Sequence, residues 1–183
     1  MKIDLGKFDS SKLKRDDVKI LVERMYTTLD ANEIIRGLFA SADRTFIVSC
    51  LGGLSEDPNL DIACNAVEML VSLEGTNAIH WVAKLLDNED DLVRCAGCRL
   101  LSRLDCPEAR AYLIQCLQND KSGNVRFNAA ESLEAIGDLS TIEVLNHAAE
   151  SDCGTDFEGR PISERALRSI GTILRRQQSP EPS

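Results

Sequence analysis

Residues 93–104 read Val-Arg-Cys-Ala-Gly-Cys-Arg-Leu-Leu-Ser-Arg-Leu, and 32 positions later, at 125–136, the chain reads Val-Arg-Phe-Asn-Ala-Ala-Glu-Ser-Leu-Glu-Ala-Ile. Val-Arg falls on Val-Arg, the small pair Gly97-Cys98 falls on Ala129-Ala130, and Leu101 and Leu104 fall on Leu133 and Ile136. The same spacing starts 31 positions earlier at Ile62, with Ala66, Val67, Leu70 and Leu73. It starts again at Ile162, with Ala166, Ile170 and Ile173. Apolar residues spaced four, eight and eleven apart share one face of a 3.6-residue helix. A small pair in that face lets a neighbouring helix approach closely. A period near 32 is too short for a domain and too long for a lone helix, so each unit is one supersecondary element that neighbours must cover.

Each such helix is followed by a break and a second apolar-periodic segment. The breaks are Glu74-Gly75-Thr76, Asp105-Cys106-Pro107 and Gly137-Asp138-Leu139-Ser140. Glycine after a last turn and proline at a first turn are stop and start marks. Acidic or polar runs such as Asn88-Glu89-Asp90-Asp91 supply caps and suit the positive end of the helix dipole. Second helices are predicted at about 77–87, 107–118 and 141–150, with another at 43–54. The first helix belonging to 43–54 is left open: 16–29, 31–40 or both are helical by pattern. The expected fold is all-α: a right-handed α-solenoid of about four to five stacked antiparallel helix pairs, capped at both ends. The expected organisation is an N-terminal arm over 1–15, a repeat domain over 16–174 and a disordered tail over 175–183.

Composition agrees with this reading. Hydrophobic residues make up 43% of the 183, yet aromatics only 4%, so the core is built from Leu, Ile, Val, Ala and Cys. Straight-chain and small apolar residues suit helix packing better than a β-sandwich. The formal net charge is -9. An acidic chain is poorly suited to nucleic acid, which is held by Lys and Arg displacing counterions. The start has no apolar run, and no stretch approaches a membrane span. Seven cysteines, an odd number, sit mostly inside apolar helical patterns. Free thiols without a leader point to a cytoplasmic protein.

The segment 125–137, Val-Arg-x-x-Ala-Ala-x-x-Leu-x-x-Ile-Gly after an acidic turn, resembles the signature of HEAT repeats, especially the short bacterial type. The resemblance covers about 43–174, with Ala63 and Ser163 replacing the arginine in flanking units. It implies a scaffold, adaptor or inhibitor more often than an enzyme, and a binding surface on the concave side formed by second helices. Bilin lyases and phycobilisome-associated proteins share this repeat type and supply the alternative function. The iron hydroxylases of this repeat type use His-Glu pairs, whereas His80 is followed by Trp81 and His147 by Ala148. A DNA-repair array of this type would need a basic concave face.

No catalytic, cofactor or metal set emerges from the residues. Cys95-x-x-Cys98 lacks the second ligand pair that zinc requires, and its Cys98 falls on Ala130, a packing position. Asp152, Asp156 and Glu158 are evenly spaced, but glycine and the closing glutamate of a calcium loop are misplaced. The segment 151–161 lengthens the last connection beyond what the fold requires, and such insertions commonly shape a binding face. Stepping along the second helices gives one row of Ser49, Trp81, Tyr112 and Val144. A neighbouring row is Gly52, Lys84, Gln115 and His147. Candidate protein-binding residues are therefore Ser49, His80, Trp81, Lys84, Tyr112, Gln115, Glu143 and His147, with Asp152, Asp156, Glu158 and Arg160 of the loop. The expected function is a non-enzymatic, immunity-type inhibitor or an adaptor without cofactor. Its expected partner is a protein, such as a basic toxin or enzyme, and neither nucleic acid nor membrane. The chain is expected to be a monomer or part of a heterocomplex.

Overall fold

The computed structural model describes residues 8–25 and 29–178, and of 29–32 the backbone alone. The predicted arm and tail thus lie partly outside the described residues. After a 3-10 turn at Ser10–Lys12 come α1 (Arg15–Glu23), α2 (Leu29–Ser41), α3 (Arg44–Leu54), α4 (Leu60–Glu74) and α5 (Ile79–Leu86). Next come α6 (Asp91–Leu101), α7 (Pro107–Asn119), α8 (Gly123–Ile136), α9 (Ile142–Ser151) and α10 (Ile162–Gln178). The fold is all-α. Among the described residues the only β feature is an isolated antiparallel bridge between Thr155 and Pro161. Helix α10 continues to Gln178, so residues 175–178 of the predicted tail are helical.

The punctuation read from the sequence acts locally as expected. Asp43 accepts from Phe46 N–H at 2.7 Å to cap α3, and Asp90 accepts from Leu92 N–H at 2.9 Å to cap α6. Pro107 opens α7, where its missing N–H costs nothing. Gly75 ends α4 at φ 56°, a left-handed backbone that a side chain would strain.

Where the sequence predicts one repeat domain, the described residues form two compact units, up to Trp81 and from Val82 onward. In the first, α1 buries Val18, Leu21 and Val22 and packs against α3 and α4. Asn65 of α4 donates to the Val22 carbonyl at 3.3 Å. The ambiguity over 16–40 is thereby resolved: α1 takes the first-helix position, and α2 is an additional helix lying on α3.

In the second unit the first helices α6, α8 and α10 lie side by side, and α7 and α9 each pack against the first helix of the following pair. The small pairs are where the helices meet. Cys98, Ala129 and Ala130 are wholly buried, and a Cβ on Gly97 would come within 2.7 Å of Leu86. Two buried serines stitch successive first helices: Ser132 Oγ donates to the Cys98 carbonyl at 2.9 Å, and Ser169 Oγ to the Ala130 carbonyl at 2.8 Å. On α5 the buried residues are Val82 and Leu85, with Ile79, Ala83 and Leu86 only half-buried. The predicted stripe of Ile79, Val82, Ala83 and Leu86 is thus rotated, because a 3-10 turn over Gly75–Ala78 precedes the helix and advances the chain by a different angle per residue.

The arginine of the Val-Arg signature has a structural partner that the signature does not contain. Arg94 clamps Asp120 through two bonds of 2.8 and 2.9 Å, while its third nitrogen donates to the carbonyls of Asn88 and Glu89. Arg126 repeats this on Asp152 at 2.7 and 3.1 Å and donates to the Asp120 carbonyl. Each aspartate also accepts an N–H two residues on, from Ser122 and Gly154. The arginine of one first helix thus ties down the turn after its own second helix, holding the entry to the next pair. The guanidinium of Arg94 and the carboxylate of Asp120 are 6% and 11% exposed.

Removing one member of such a pair leaves the other buried and uncompensated. Arg94→Met should destabilise the protein by about 3 kcal/mol, read as a lower urea midpoint. The double variant with Asp120→Leu should recover a large part of that loss, since no buried charge is then stranded.

Candidate protein-binding surface

The predicted contact residues divide between the two units. Ser49, His80 and Trp81 belong to the first. There the Trp81 indole lies over the bare Cα of Gly52, at 3.4 Å from where a Cβ would stand, and its ring centroid is 3.7 Å from that of His80. Trp81 is half-buried, and much of its face is spent on packing. Lys84, Tyr112, Gln115, Glu143 and His147 belong to the second unit, and the candidate surface is built there.

Helices α5, α7 and α9 leave two open clefts on either side of α7. One, of about 550 Å³, has Gln118, Asn119, His147 and Ser151 on its walls and the Arg126–Asp152 pair in its lining. The other, of about 240 Å³, is lined by Asp87, Tyr112, Gln115 and Asn119. Asp120 borders both. Lys84, Gln115, Gln118, Asn119, Glu143 and His147 are exposed, Tyr112 is half-buried, and Val144 of the predicted row is buried. The helical spacing that marks a core stripe also marks the opposite stripe, which is how Tyr112, Gln115 and His147 were legible. Gln118 and Asn119 were not singled out, because amides at a helix end also read as caps.

The electrostatics of the larger cleft follow from the clamp. The Arg126 guanidinium beside Asp152 holds that carboxyl below its ordinary 3.8, against the opposing effect of burial. Burial would raise Asp120, but hydrogen bonds from Arg94 and Ser122 N–H keep it lowered. Both carboxylates are ionised and matched, so the lining presents neither an unbalanced cation nor an unbalanced anion. The polar groups this cleft exposes are the amides of Gln118 and Asn119, His147 and Ser151.

The 151–161 loop is braced throughout. Asp156 N–H donates to the Arg160 carbonyl at 3.1 Å, and Ile162 N–H to the Gly154 carbonyl at 3.1 Å. Phe157 N–H donates to Asn124 Oδ1 at 2.6 Å, tying the loop to the start of α8. Gly123 permits this approach, since a Cβ there would overlap the Thr155 carbonyl. The Arg160 guanidinium sits 4.6 Å over the Phe127 ring, a cation–π contact.

Asp152 and Asp156, both expected to meet a partner, are instead internal supports. Asp152 is taken up by Arg126. Asp156 is buried at 6% exposure and accepts from Glu158 N–H, Arg160 N–H and Arg160 Nε. Burial pushes the Asp156 carboxyl up, but Arg160 and the two N–H donors bring it below the ordinary value. Short acidic side chains between glycines are consumed by the turn they create. Glu158 and Arg160 are exposed but linked to each other at 3.3 Å. What the loop displays is Phe157, 75% exposed, a residue the periodicity did not mark because it lies outside any helix.

All seven cysteines are free thiols. Burial pushes Cys95 up to about 11. Cys98 is raised further by its hydrogen bond with Cys116 and by burial. A thiol held protonated is a poor nucleophile, so the Cys95–Cys98 pair is packing. Among the described residues no group of three or more His, Cys, Asp or Glu is arranged to hold a metal ion. No described helix is long and apolar enough to cross a membrane.

A family model described as HEAT repeats matches the chain over residues 47–123 and again over 79–157, together more than half of its length. Proteins of this repeat family are in general non-enzymatic scaffolds for protein–protein interaction. No curated protein matches the chain. The chain is similar to a crystal structure of an engineered protein, 21% identical over 87% of this chain and 80% of that one, with a TM-score of 0.49. The family match and the helix packing stand without that likeness.

Two outcomes follow from this geometry. Asp156→Ala removes three acceptor bonds from the loop and should open it to proteolysis at 151–161 while α6–α10 keep their circular-dichroism signal. The second concerns pH. The folded carboxyl of Asp152 lies below 3.8, so its stabilisation is complete above that value and is lost as pH falls through the folded value. In Arg126→Gln the urea midpoint should fall less steeply than wild type between about pH 5 and about pH 2.

Proposed function

The chain belongs to the HEAT-repeat family, and we propose that it is a stoichiometric binding protein, an inhibitor or adaptor that seats one protein partner on the α5–α7–α9 face beside the 151–161 loop. The observation that carries this reading is the combination, within one unit, of two open clefts and a rigidly braced loop that the repeat does not require. Tyr112 edges the smaller cleft and Phe157 crowns the loop, and aromatic side chains on rigid supports are typical anchors of protein interfaces. Rigid presentation matters because less ordering entropy is lost on binding.

Charge supports a basic partner. Residues 120–159 hold nine acidic and two basic side chains. Some of these are consumed internally, as at Asp120, Asp152 and Asp156, but Glu143, Glu150 and Glu158 are exposed. A basic toxin or enzyme would associate faster with such a surface, and the effect would weaken with salt.

The test is a four-site variant, Tyr112→Ala with Gln115→Ala, His147→Ala and Phe157→Ala, which spares Trp81 because of its packing on Gly52. A partner captured by the wild-type chain should bind the variant at least roughly tenfold more weakly, at unchanged thermal midpoint, by calorimetric titration. One-to-one stoichiometry with complete loss of the partner's activity marks an inhibitor, and retained activity marks an adaptor. Undiminished affinity of a folded four-site variant overturns the placement of the surface.

A further inference from the structure

Helix α10 repeats the signature of α8 without being closed off as α8 is. Ile162, Ala166, Ser169 and Ile173 are wholly buried against α8 and α9, as their counterparts Val125, Ala129, Ser132 and Ile136 are buried or nearly so. One step round the helix the two part company. In α8 the next row is Ala130, Leu133 and Gly137, all buried. In the same register α10 carries Leu167, Ile170 and Leu174, of which Leu167 is 59% and Leu174 39% exposed and Ile170 half-buried. Residues spaced three, four and seven apart form a continuous ridge. It is an apolar ridge larger than its α8 counterpart, and it faces water.

The ridge has a marked flank. Beyond Gly171, over which the Arg175 guanidinium lies 3.5 Å from where a Cβ would stand, Arg168 and Arg175 stand seven residues apart on one line, both exposed, with Arg175 donating to Thr172 Oγ1 at 3.1 Å and Glu164 one turn before Arg168. Of the five basic side chains over 160–183, Arg160, Arg165 and Arg176 are engaged on Asp156, Glu131 and the end of α8, and Arg168 and Arg175 are the two on this flank, in a chain whose net charge is -9. We propose that this face of α10 docks an amphipathic helix of a protein partner whose apolar stripe is flanked by acidic residues, separately from the α5–α7–α9 surface. The ridge supplies the desolvated contact, and the Arg168–Arg175 line selects Asp or Glu. A second copy of this chain fits less well. In a two-fold antiparallel pairing, each flank meets its own counterpart, so the arginine line would face another arginine line.

The probe is a fluorescein-labelled helical peptide with leucines at heptad spacing and glutamates on the flanks, titrated against the full chain by anisotropy. Its control has lysine for every glutamate. The glutamate peptide should bind at least roughly tenfold more tightly than the lysine peptide, and the preference should shrink with salt. Leu167→Glu with Leu174→Glu should abolish binding, and both positions are exposed enough to leave folding intact by circular dichroism. Arg168→Glu with Arg175→Glu should invert the preference while retaining the ridge. Equal binding of both peptides, absence of binding, or binding untouched by the leucine variant overturns the proposal. So does a concentration-dependent dimer, seen by sedimentation, that the leucine variant abolishes, because it would assign the ridge to a second copy. The four-site variant of the other surface should bind the peptide normally, which separates this result from that one.

Discussion

The buried arginine–aspartate clamp is the interaction on which the second unit's regularity rests. A helix pair has no means of its own to fix where the following pair begins, because apolar stripes can slide. Arg94 and Arg126 remove that freedom by gripping Asp120 and Asp152, each at the turn that leads into the next first helix. The aspartate is held from both sides, by the guanidinium and by a turn N–H. A bidentate guanidinium–carboxylate pair is directional in a way that leucine packing is not. Its penalty is desolvation, offset here by the extra carbonyl and N–H partners.

The first unit shows the same device with other residues. Val18-Lys19 stands where later units have Val-Arg, and Lys19 Nζ reaches Asp57 at 2.8 Å. Asp57 also accepts from Asn59 N–H two residues on. In the intermediate register both charges are gone together: Ala63 stands for the arginine, and Asn88 for the aspartate. Asn88 still accepts from Asp90 N–H, so the turn survives without the ion pair. The turn is therefore the constant element, and the cation is the reinforcement. Long polar side chains serve the helix ends as well, with Arg176 donating to the Glu134, Ala135 and Gly137 carbonyls at the end of α8.

The clamp also decides what the open face can recognise. Because each cation in the lining is neutralised by its own aspartate, the clefts offer hydrogen-bonding amides, the Asp87 carboxylate and an aromatic edge rather than a cationic trap. That suits a shaped protein surface better than a phosphate backbone. Net acidity is displaced to the rim and the loop, and α10 carries an apolar ridge with a basic flank. Two faces of one unit thus differ in polarity.

The amino-acid order alone determined the helices, their period and, α5 apart, the faces they bury. Those properties depend on spacing along one element, and the 3.6-residue turn converts spacing directly into a face. The small pairs at Gly97-Cys98 and Ala129-Ala130 were legible for the same reason. The cleft residues Tyr112, Gln115 and His147 were legible as the stripe opposite the core. Which helix pairs with which, and what each charged side chain does, was decided only in three dimensions. Arg94 and Asp120 lie 26 residues apart, beyond any local periodicity, and Asp152 and Asp156 look like surface acids until Arg126 and Arg160 are seen beside them. Phe157 shows the converse: in a loop no period marks a side chain as exposed, and only the brace from Asn124 turns it outward. The place of α1 as first helix, with α2 as an addition, also waited on packing, because both segments carry helical patterns and only contact with α4 distinguishes them.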